Sequence, residues 1–376
     1  MERRALLTGF AAVGAVTLLG CSRGDDDPAP SPSSASPSTA EPTTPPAPTP
    51  TVEPAASAPT IVATIATGLN VPWGIAFLAG GDALVSQRDD GSIVRISTDG
   101  TVTSLGQVPD STGRPGGEGG LLGIAIPPGD ESVVFAYVTT AEDDRVVRMS
   151  LRGDRLGAPK PILTGIPIGS RHHGGRLLFD PSGLLYVATG DAGNGSFAQD
   201  RDSLAGKVLR IDQDGKAAAD NPFDNRTWSY GHRNIEGLAF DAEGRLWAAE
   251  FGEKSADELN LIERGGNYGW PGVEGVSDDA DLISPKVTWG TDECSPAGVA
   301  ITKSTAYVGA LQGECLFAVP LTGTEAGEPT AYFAGDHGRI RSVAVAPDGA
   351  LWMTTSNTDG RGDPRNEDDR ILRLVV

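Results

Sequence analysis

The chain of 376 residues contains four histidines, and each one lies in a stretch that also contains glycine and arginine. His172 and His173 lie in SRHHGG, His232 lies in GHRN, and His337 lies in DHGRIR. An imidazole titrates near neutral pH, so it can act as a general base or as a metal ligand. If these stretches meet in the fold, they form a site that combines imidazole with guanidinium groups. Separate surface loops are the alternative.

Three arginines closely follow the two later histidines in an otherwise acidic chain. Arg233 follows His232, and Arg339 and Arg341 follow His337. The formal net charge is −20, from 50 acidic and 30 basic residues. This balance argues against a nucleic-acid partner, because phosphate contacts need a basic surface. Clustered arginines in such a chain indicate an anionic ligand with carboxylates, and ion pairs with neighbouring acids are the alternative.

The residues alone predict a metal site less clearly. Zinc is not expected at the histidine pair, because further ligands at the usual spacing are missing. Asp257 and Glu258 are candidate calcium ligands or ion-pair partners between repeats. The glycine-rich stretch 113–123 leads into a predicted strand rather than a helix, so it is not a phosphate loop.

The elements that would position these residues are short strands in a repeated pattern. Apolar strands recur 44 to 61 residues apart, beginning at Gly74, Leu122, Arg176, Gly237, Gly298 and Ser342. Each leads through a turn to a second and then a third strand, which is typical of propeller blades. We therefore predict an all-β fold, a six-bladed β-propeller over residues 60–376, in which residues 61–66 close the ring against the last strand. A β-sandwich is the alternative.

Propeller topology places the histidine-containing loops on one face. The loop that enters each blade and the loop between its second and third strands lie on that face. The entering loops hold all four histidines, together with Glu118, Arg233, Asn234, Arg339 and Arg341. Loops 190–195 and 250–258 belong to the same face. The sequence thus predicts that the four histidines converge on one axial site.

The first 59 residues differ from the rest in composition. Residues 1–21 pair two arginines with an apolar run and end in LLGC at Cys21, which is typical of a lipoprotein signal peptide. An uncleaved anchor is the alternative, and the arginine pair also fits twin-arginine export. Residues 22–59 are rich in proline, serine and threonine and predict a disordered linker. We expect an exported protein held at the outer side of the bacterial cytoplasmic membrane only through lipid on Cys21.

Two cysteines, Cys294 and Cys315, remain beyond Cys21. In an exported protein two such cysteines pair more often than they stay free. We therefore predict a disulfide between them.

An ordered set of motifs resembles the glucose/sorbosone dehydrogenase family, which comprises soluble sugar dehydrogenases that use pyrroloquinoline quinone (PQQ) on a six-bladed propeller. The motifs are HHGGRLLFDPSGLLYVATGDAG, GKVLRID, YGHRNIEGLAFD, the stretch 250–260, GGNYGWP and GRIRSVAVAPDG. They run in the family's order from about Leu69 to the C-terminus. The resemblance implies PQQ-dependent oxidation of an aldose at C1 to the lactone, with calcium as a second cofactor and an unknown electron acceptor.

The resemblance also implies roles at the matched positions. His172 would be the general base that takes the C1-hydroxyl proton as hydride leaves for the quinone. Arg233 would act beside it, and Arg233 and Asn234 would contact the quinone side of PQQ. Glu118 stands where glucose enzymes use an amide side chain against cofactor or substrate.

Further matched residues would bind the cofactors. Arg339 and Arg341 would bind the PQQ carboxylates. Backbone carbonyls of Gly252 and Glu253 would bind the calcium ion, which polarises the quinone carbonyl.

Three positions depart from the glucose enzymes. Arg171 replaces an acid that helps to orient the base, Gln312 replaces a lysine near the cofactor, and Ala192 replaces an amide. These changes argue against glucose as the specific substrate. Two other functions are open alternatives. One is a lactonase-type hydrolase, which would need carboxylates on the axis, and the other is a non-catalytic propeller that binds a glycan or a protein.

Overall fold

Six antiparallel β-sheets form the blades of a propeller in residues 58–376, the part of the chain that the computed structural model describes. The strands are β1 (Thr60–Ala66), β2 (Pro72–Phe77), β3 (Ala83–Gln87), β4 (Ser92–Ile96), β5 (Val102–Gln107), β6 (Leu121–Ala125), β7 (Val133–Thr139), β8 (Asp144–Arg152), β9 (Arg155–Leu156), β10 (Lys160–Ile166), β11 (Gly174–Phe179), β12 (Leu185–Thr189), β13 (Lys207–Ile211), β14 (Thr227–Tyr230), β15 (Ile235–Phe240), β16 (Leu246–Glu250), β17 (Asp257–Ile262), β18 (Val287–Trp289), β19 (Pro296–Thr302), β20 (Thr305–Ala310), β21 (Cys315–Thr322), β22 (Glu325–Ala326), β23 (Thr330–Tyr332), β24 (Ile340–Val345), β25 (Leu351–Thr355) and β26 (Ile371–Val375). One short helix, α1 (Ser196–Gln199), interrupts them within these residues.

The ring closes as the sequence predicts. The first strands of the six blades, β2, β6, β11, β15, β19 and β24, contact one another in cyclic order around one axis. The sixth sheet has the order β1-β26-β25-β24, and Ile61 pairs with Leu374 in its antiparallel ladder. The six-bladed propeller and the closing strand are therefore confirmed, and the β-sandwich alternative is wrong.

The hydrophobic core lies between blades. Six apolar clusters fill the six contacts between neighbouring sheets. The second strand of every blade, β3, β7, β12, β16, β20 or β25, is buried along its whole length. Adjacent blades cover both faces of these strands, which explains their continuous apolar or small-residue sequences. This packing fixes the strand ends from which the site loops project.

The predicted disulfide is not formed, because Cys294 and Cys315 are both free thiols. Both are buried in the apolar cluster between the fourth and fifth blades, where a thiol packs as a small hydrophobic group. Burial raises the pKa of Cys315 to about 11 and holds the pKa of Cys294 well above its ordinary value. The reactive thiolate is therefore disfavoured at both positions.

The sequence predictions for the N-terminal region fall mostly outside the described residues. The signal peptide, the lipidation site at Cys21 and nearly all of the linker 22–59 precede residue 58. Within residues 58–376, no helix is long and apolar enough to cross a membrane.

Candidate active site

All six blades contribute side chains to one axial cavity of roughly 290 Å³. It lies on the face of the entering loops. Its wall contains most of the residues predicted for the site, namely Glu118, His172, Arg233, Asn234, Gly252, Gln312, Arg339 and Arg341. Six arginines and three carboxylates line it, so the wall has an excess of positive charge in an acidic protein. The cavity thus suits a ligand with several carboxylates.

His172 is held at this wall in a strained conformation. Its φ angle of 62° lies in the left-handed region, which a residue with a side chain adopts only when its surroundings impose it. Its backbone N–H donates to Oε2 of Glu118 at 2.7 Å, and its carbonyl accepts the N–H of Ala192 at 3.2 Å. Hydrogen bonds on both sides of the residue therefore fix the direction of the imidazole.

Asp191 orients the imidazole of His172, a role that the sequence analysis missed. Its Oδ1 lies 2.7 Å from Nδ1 of His172, and its Oδ2 accepts the indole N–H of Trp270 at 2.8 Å. Burial opposes its ionisation, but the hydrogen bonds from His172, Trp270 and Gly193 lower its pKa. A carboxylate can only accept, so Nδ1 carries the proton and Nε2 is left as the basic nitrogen.

The other three histidines do not line the cavity, so their predicted convergence is wrong. His173, which precedes the third blade, packs against the second blade, where its Nδ1 lies 2.9 Å from Asp144. His232 is fully buried, with Nε2 2.8 Å from Ser229 and Nδ1 2.8 Å from Glu250. His337 packs near the ring of Phe333. Loop position predicted which face these residues occupy but could not predict where each side chain points.

Arg339 and Arg341 are buried in the cavity wall and share one carboxylate. Nε of Arg339 lies 3.1 Å from Asp359, and Nη2 of Arg341 lies 3.4 Å from the same oxygen. Nη1 of Arg341 donates to Glu236 at 2.7 Å. These buried acids hold both guanidinium groups in place and leave further N–H groups for a ligand. Glu236 is one of the neighbouring acids that the sequence offers as an ion-pair partner for these arginines, whereas Asp359 was not identified from the sequence.

Arg233 has an unused donor at the cavity. Its Nε is buried without a hydrogen-bond partner, and Oε2 of Glu253 lies 3.7 Å away. Its Nη1 donates to the carbonyl of Phe251 at 3.3 Å, and its guanidinium carbon lies 5.5 Å from the ring centre of Trp270. A buried N–H without an acceptor destabilises the folded protein unless a ligand accepts its hydrogen bond. Arg233 is therefore prepared for an acceptor atom that the protein itself does not provide.

Glu118 and Arg361 join two loops across the mouth of the cavity. Oε1 of Glu118 lies 2.9 Å from Nη2 of Arg361, while Oε2 binds the His172 backbone. Burial opposes ionisation of Glu118, but these bonds lower its pKa. Arg361 was not identified from the sequence, although its loop joins the second and third strands of the sixth blade. The same topological rule that placed loop 190–195 would have found it.

The segment 252–256 has its backbone amides turned towards two carboxylates. The Gly252 N–H donates to Asp257 at 2.8 Å, and the next four N–H groups all donate to Oε1 of Glu274. Burial raises the pKa of Asp257 to about 6. Burial opposes ionisation of Glu274, but the four backbone bonds lower its pKa to about 2. Within residues 58–376, no group of three histidine, cysteine, aspartate or glutamate side chains could hold a metal. A cation here would need backbone oxygens.

The three departures from glucose enzymes have different structural outcomes. Arg171 is half-exposed at the cavity wall, and its nearest carboxylate oxygen, on Glu253, is 3.7 Å away. The carboxylate that contacts the imidazole of His172 is that of Asp191. Gln312 lines the cavity, whereas Ala192 does not and contributes its N–H to His172.

Comparison with known proteins agrees with the motif resemblance. The family described as Glucose / Sorbosone dehydrogenase matches residues 69–373. The chain is similar to the PQQ-bound form of aldose sugar dehydrogenase from Streptomyces coelicolor, with TM-score 0.82, 48% identity, and coverage of 85% of this chain and 98% of that one. Quinoprotein glucose dehydrogenase B of Acinetobacter calcoaceticus is 30% identical over 65% of this chain and 61% of its own length. Aldose sugar dehydrogenase of Escherichia coli is 28% identical over 83% of this chain and 95% of its own length. The chain belongs to the Glucose / Sorbosone dehydrogenase family.

Proposed function

We propose that this protein oxidises the C1 hydroxyl of an aldose to the lactone, with PQQ and calcium bound in the axial cavity. The observation that carries this proposal is the His172–Asp191 pair at the wall of an arginine-lined cavity. When bound, PQQ supplies the hydride acceptor and calcium polarises its quinone carbonyl. The similar Streptomyces coelicolor protein in its PQQ-bound form supports this assignment.

The residues present fit an acidic planar cofactor. The unpartnered Nε of Arg233 and the fixed guanidinium groups of Arg339 and Arg341 offer N–H donors to carboxylate and carbonyl oxygens. Asn234 and Gln312 contribute further polar atoms to the wall. Arg233 therefore has a place both in cofactor binding and in stabilising charge near the reacting atoms.

Proton transfer is assigned to His172. With Nδ1 donating to Asp191, Nε2 accepts the C1-hydroxyl proton as the hydride leaves. The ionised carboxylate of Asp191 then stabilises the imidazolium that forms. Glu118 holds the His172 backbone, so the base does not need to reorient during the reaction.

The carbonyls of Gly252 and Glu253 are proposed to hold calcium. Gly252 lines the cavity, and the amides of this segment are engaged with Glu274 and Asp257. Calcium accepts carbonyl oxygens in flexible number, which suits a site without a cluster of acidic side chains.

Reconstitution with PQQ and calcium tests the function. The purified protein is mixed with both cofactors and a panel of aldoses, and reduction of an artificial electron acceptor is followed. His172→Gln should lower turnover on the order of 10²–10⁴-fold while PQQ still binds. No sugar oxidation by the wild type would contradict the proposal and favour a hydrolase or a non-catalytic binding propeller.

Export and lipid anchoring through Cys21 are a separate proposal, supported by the LLGC pattern after an apolar run. Cys21→Ser should release the full-length protein from the membrane fraction of the bacterial host. Retention of that variant in the membrane would contradict lipid anchoring.

A further inference from the structure

Glu274 is the common acceptor for four consecutive backbone amides. Its Oε1 accepts the N–H groups of Glu253, Lys254, Ser255 and Ala256 at 2.5, 2.8, 3.0 and 3.2 Å. Its Oε2 accepts the hydroxyl of Ser255 at 3.0 Å. A carboxylate in this position turns every one of these amides to the same side of the segment.

The peptide carbonyls of the segment must point the other way. The peptide bonds here are trans, and the C=O and N–H of a planar trans peptide are opposed. The carbonyl of Gly252 shares a peptide with the N–H of Glu253, and the carbonyl of Glu253 shares one with the N–H of Lys254. Both oxygens are therefore directed away from Glu274, and Gly252 itself lines the axial cavity.

The arrangement around Glu274 is closely packed. A Cβ added to Gly252 would come 2.6 Å from Oε1 of Glu274 and 2.0 Å from the carbonyl oxygen of Ala256. Only glycine allows the carboxylate to approach so near. The next residue after Glu274 is also fixed, because the Gly275 N–H donates to buried Glu258 at 2.7 Å.

We propose that Glu274 is a positioning residue for the calcium site, acting through the carbonyls of Gly252 and Glu253. This inference rests on the proposed function, which assigns calcium to those oxygens. By holding the amides, Glu274 keeps the carbonyl dipoles aimed before the cation arrives, so less conformational entropy is lost on binding. Its negative charge also polarises each peptide and makes the carbonyl oxygens better ligands.

Loss of the Glu274 carboxylate should lower the calcium affinity of the site without unfolding the domain. The segment is flanked by β16 and β17, which remain paired, and Asp257 still holds the Gly252 N–H. Glu274→Ala should free four amides to turn towards water, and the carbonyls would turn with them. Glu274→Gln retains one acceptor oxygen but loses the charge, so its effect should be intermediate.

Calcium titration tests this inference. PQQ-containing wild type, Glu274→Gln and Glu274→Ala are titrated with calcium in chelator buffers, and binding is followed by the PQQ absorbance and by calorimetry. We expect the calcium concentration at half-saturation to rise about tenfold or more in Glu274→Ala. At high calcium concentration the variant should still reach full saturation. Glu131→Gln is the control, because exposed Glu131 also accepts a backbone N–H, that of Ala79, away from the cavity.

The melting temperature in excess chelator separates positioning from general stability. A Tm similar to that of the control, together with weaker calcium binding, supports the inference. The inference is overturned if Glu274→Ala reaches half-saturation at the same calcium concentration as the wild type. It is also overturned if the wild type does not bind calcium. If the wild type binds calcium but oxidises no sugar, the proposed function fails, and the calcium affinities of the variants still decide the role of Glu274.

Discussion

Oδ1 of Asp191 lies 2.7 Å from Nδ1 of His172, and the two residues come from different loops of the third blade. The following glycine, Gly193, and the indole of Trp270 also donate to Asp191, so the carboxylate is fixed by three donors. This relationship determines which nitrogen of His172 is basic.

Asp191→Asn should lower turnover on the order of 10²–10⁴-fold, because an amide does not fix the Nδ1–H tautomer or stabilise the imidazolium. PQQ affinity should change little. Steady-state kinetics and a PQQ titration measure the two effects separately. Asp144→Asn is the matched control, since Asp144 pairs with His173 away from the cavity. It should reduce Tm but leave turnover of the folded protein intact, and an equal loss of turnover in both variants would contradict the assignment.

Arg341→Lys should weaken PQQ binding about tenfold or more. Arg341 uses three nitrogens of its planar fork, on Ser356, Glu236 and Asp359. A lysine ammonium retains the charge but cannot span these partners and also bind a carboxylate. Fluorescence titration of the apo protein measures the affinity. Arg373→Lys, at the exposed pair with Asp348, is the control, and equal affinities in the two variants would argue against Arg341 as a cofactor ligand.

Glu258 should make stability fall as pH rises. Burial, followed by the charge of Glu250, raises the pKa of Glu258 from 4.5 to about 8. Between these values the folded chain holds a proton that the unfolded chain has released, so the free energy of unfolding decreases with increasing pH. Glu258→Gln should remove this part of the slope in Tm measured from about pH 5 to about pH 9. Glu131→Gln should retain it, and identical slopes in all three proteins would refute the prediction.

Gly190→Ala should damage both the fold and the site. A Cβ at Gly190 would come 1.9 Å from the carbonyl oxygen of His172 and 2.8 Å from Oδ1 of Asn234. The backbone of the base must then shift, and we expect a loss of more than about 3 kcal/mol in stability together with reduced turnover. Chemical denaturation measures the loss of stability, and steady-state kinetics measures the loss of turnover. Gly80→Ala, which meets no atom within 4 Å, should change neither, and a similarly mild Gly190→Ala would count against the close contact.

The repeated strands made the blades predictable, because each blade buries its second strand in the same way and so repeats the same pattern. The topology also placed His172, Arg233, Arg339 and Arg341 on one wall, as found. It could not show that the side chains of His173 and His232 turn away from the cavity, because side-chain direction depends on buried partners such as Asp144 and Glu250.

Other parts of the site depend on contacts between distant residues. Asp191 was within reach of the sequence analysis, because its loop was assigned to the correct face. Glu274 was not, since it lies about twenty residues from the amides it binds, in a long irregular segment between β17 and β18. The disulfide predicted between Cys294 and Cys315 is not formed, and the number of cysteines in a sequence does not distinguish a covalent pair from two buried thiols.

The pairing of β1 with β26 gives the chain a late step in folding. Thr60 lies opposite Val375, so the first strand of the domain has no partner until the last residues have been synthesised. The contacts between consecutive blades can form progressively, but the β1–β26 ladder and the packing of the first blade on the sixth join the two ends of the domain, at a large sequence separation. A pull on the chain from its N-terminal side would act first on the β1–β26 ladder. The β1–β26 ladder, which completes the sixth blade, is therefore also the place where a mechanical force would begin to unfold the propeller.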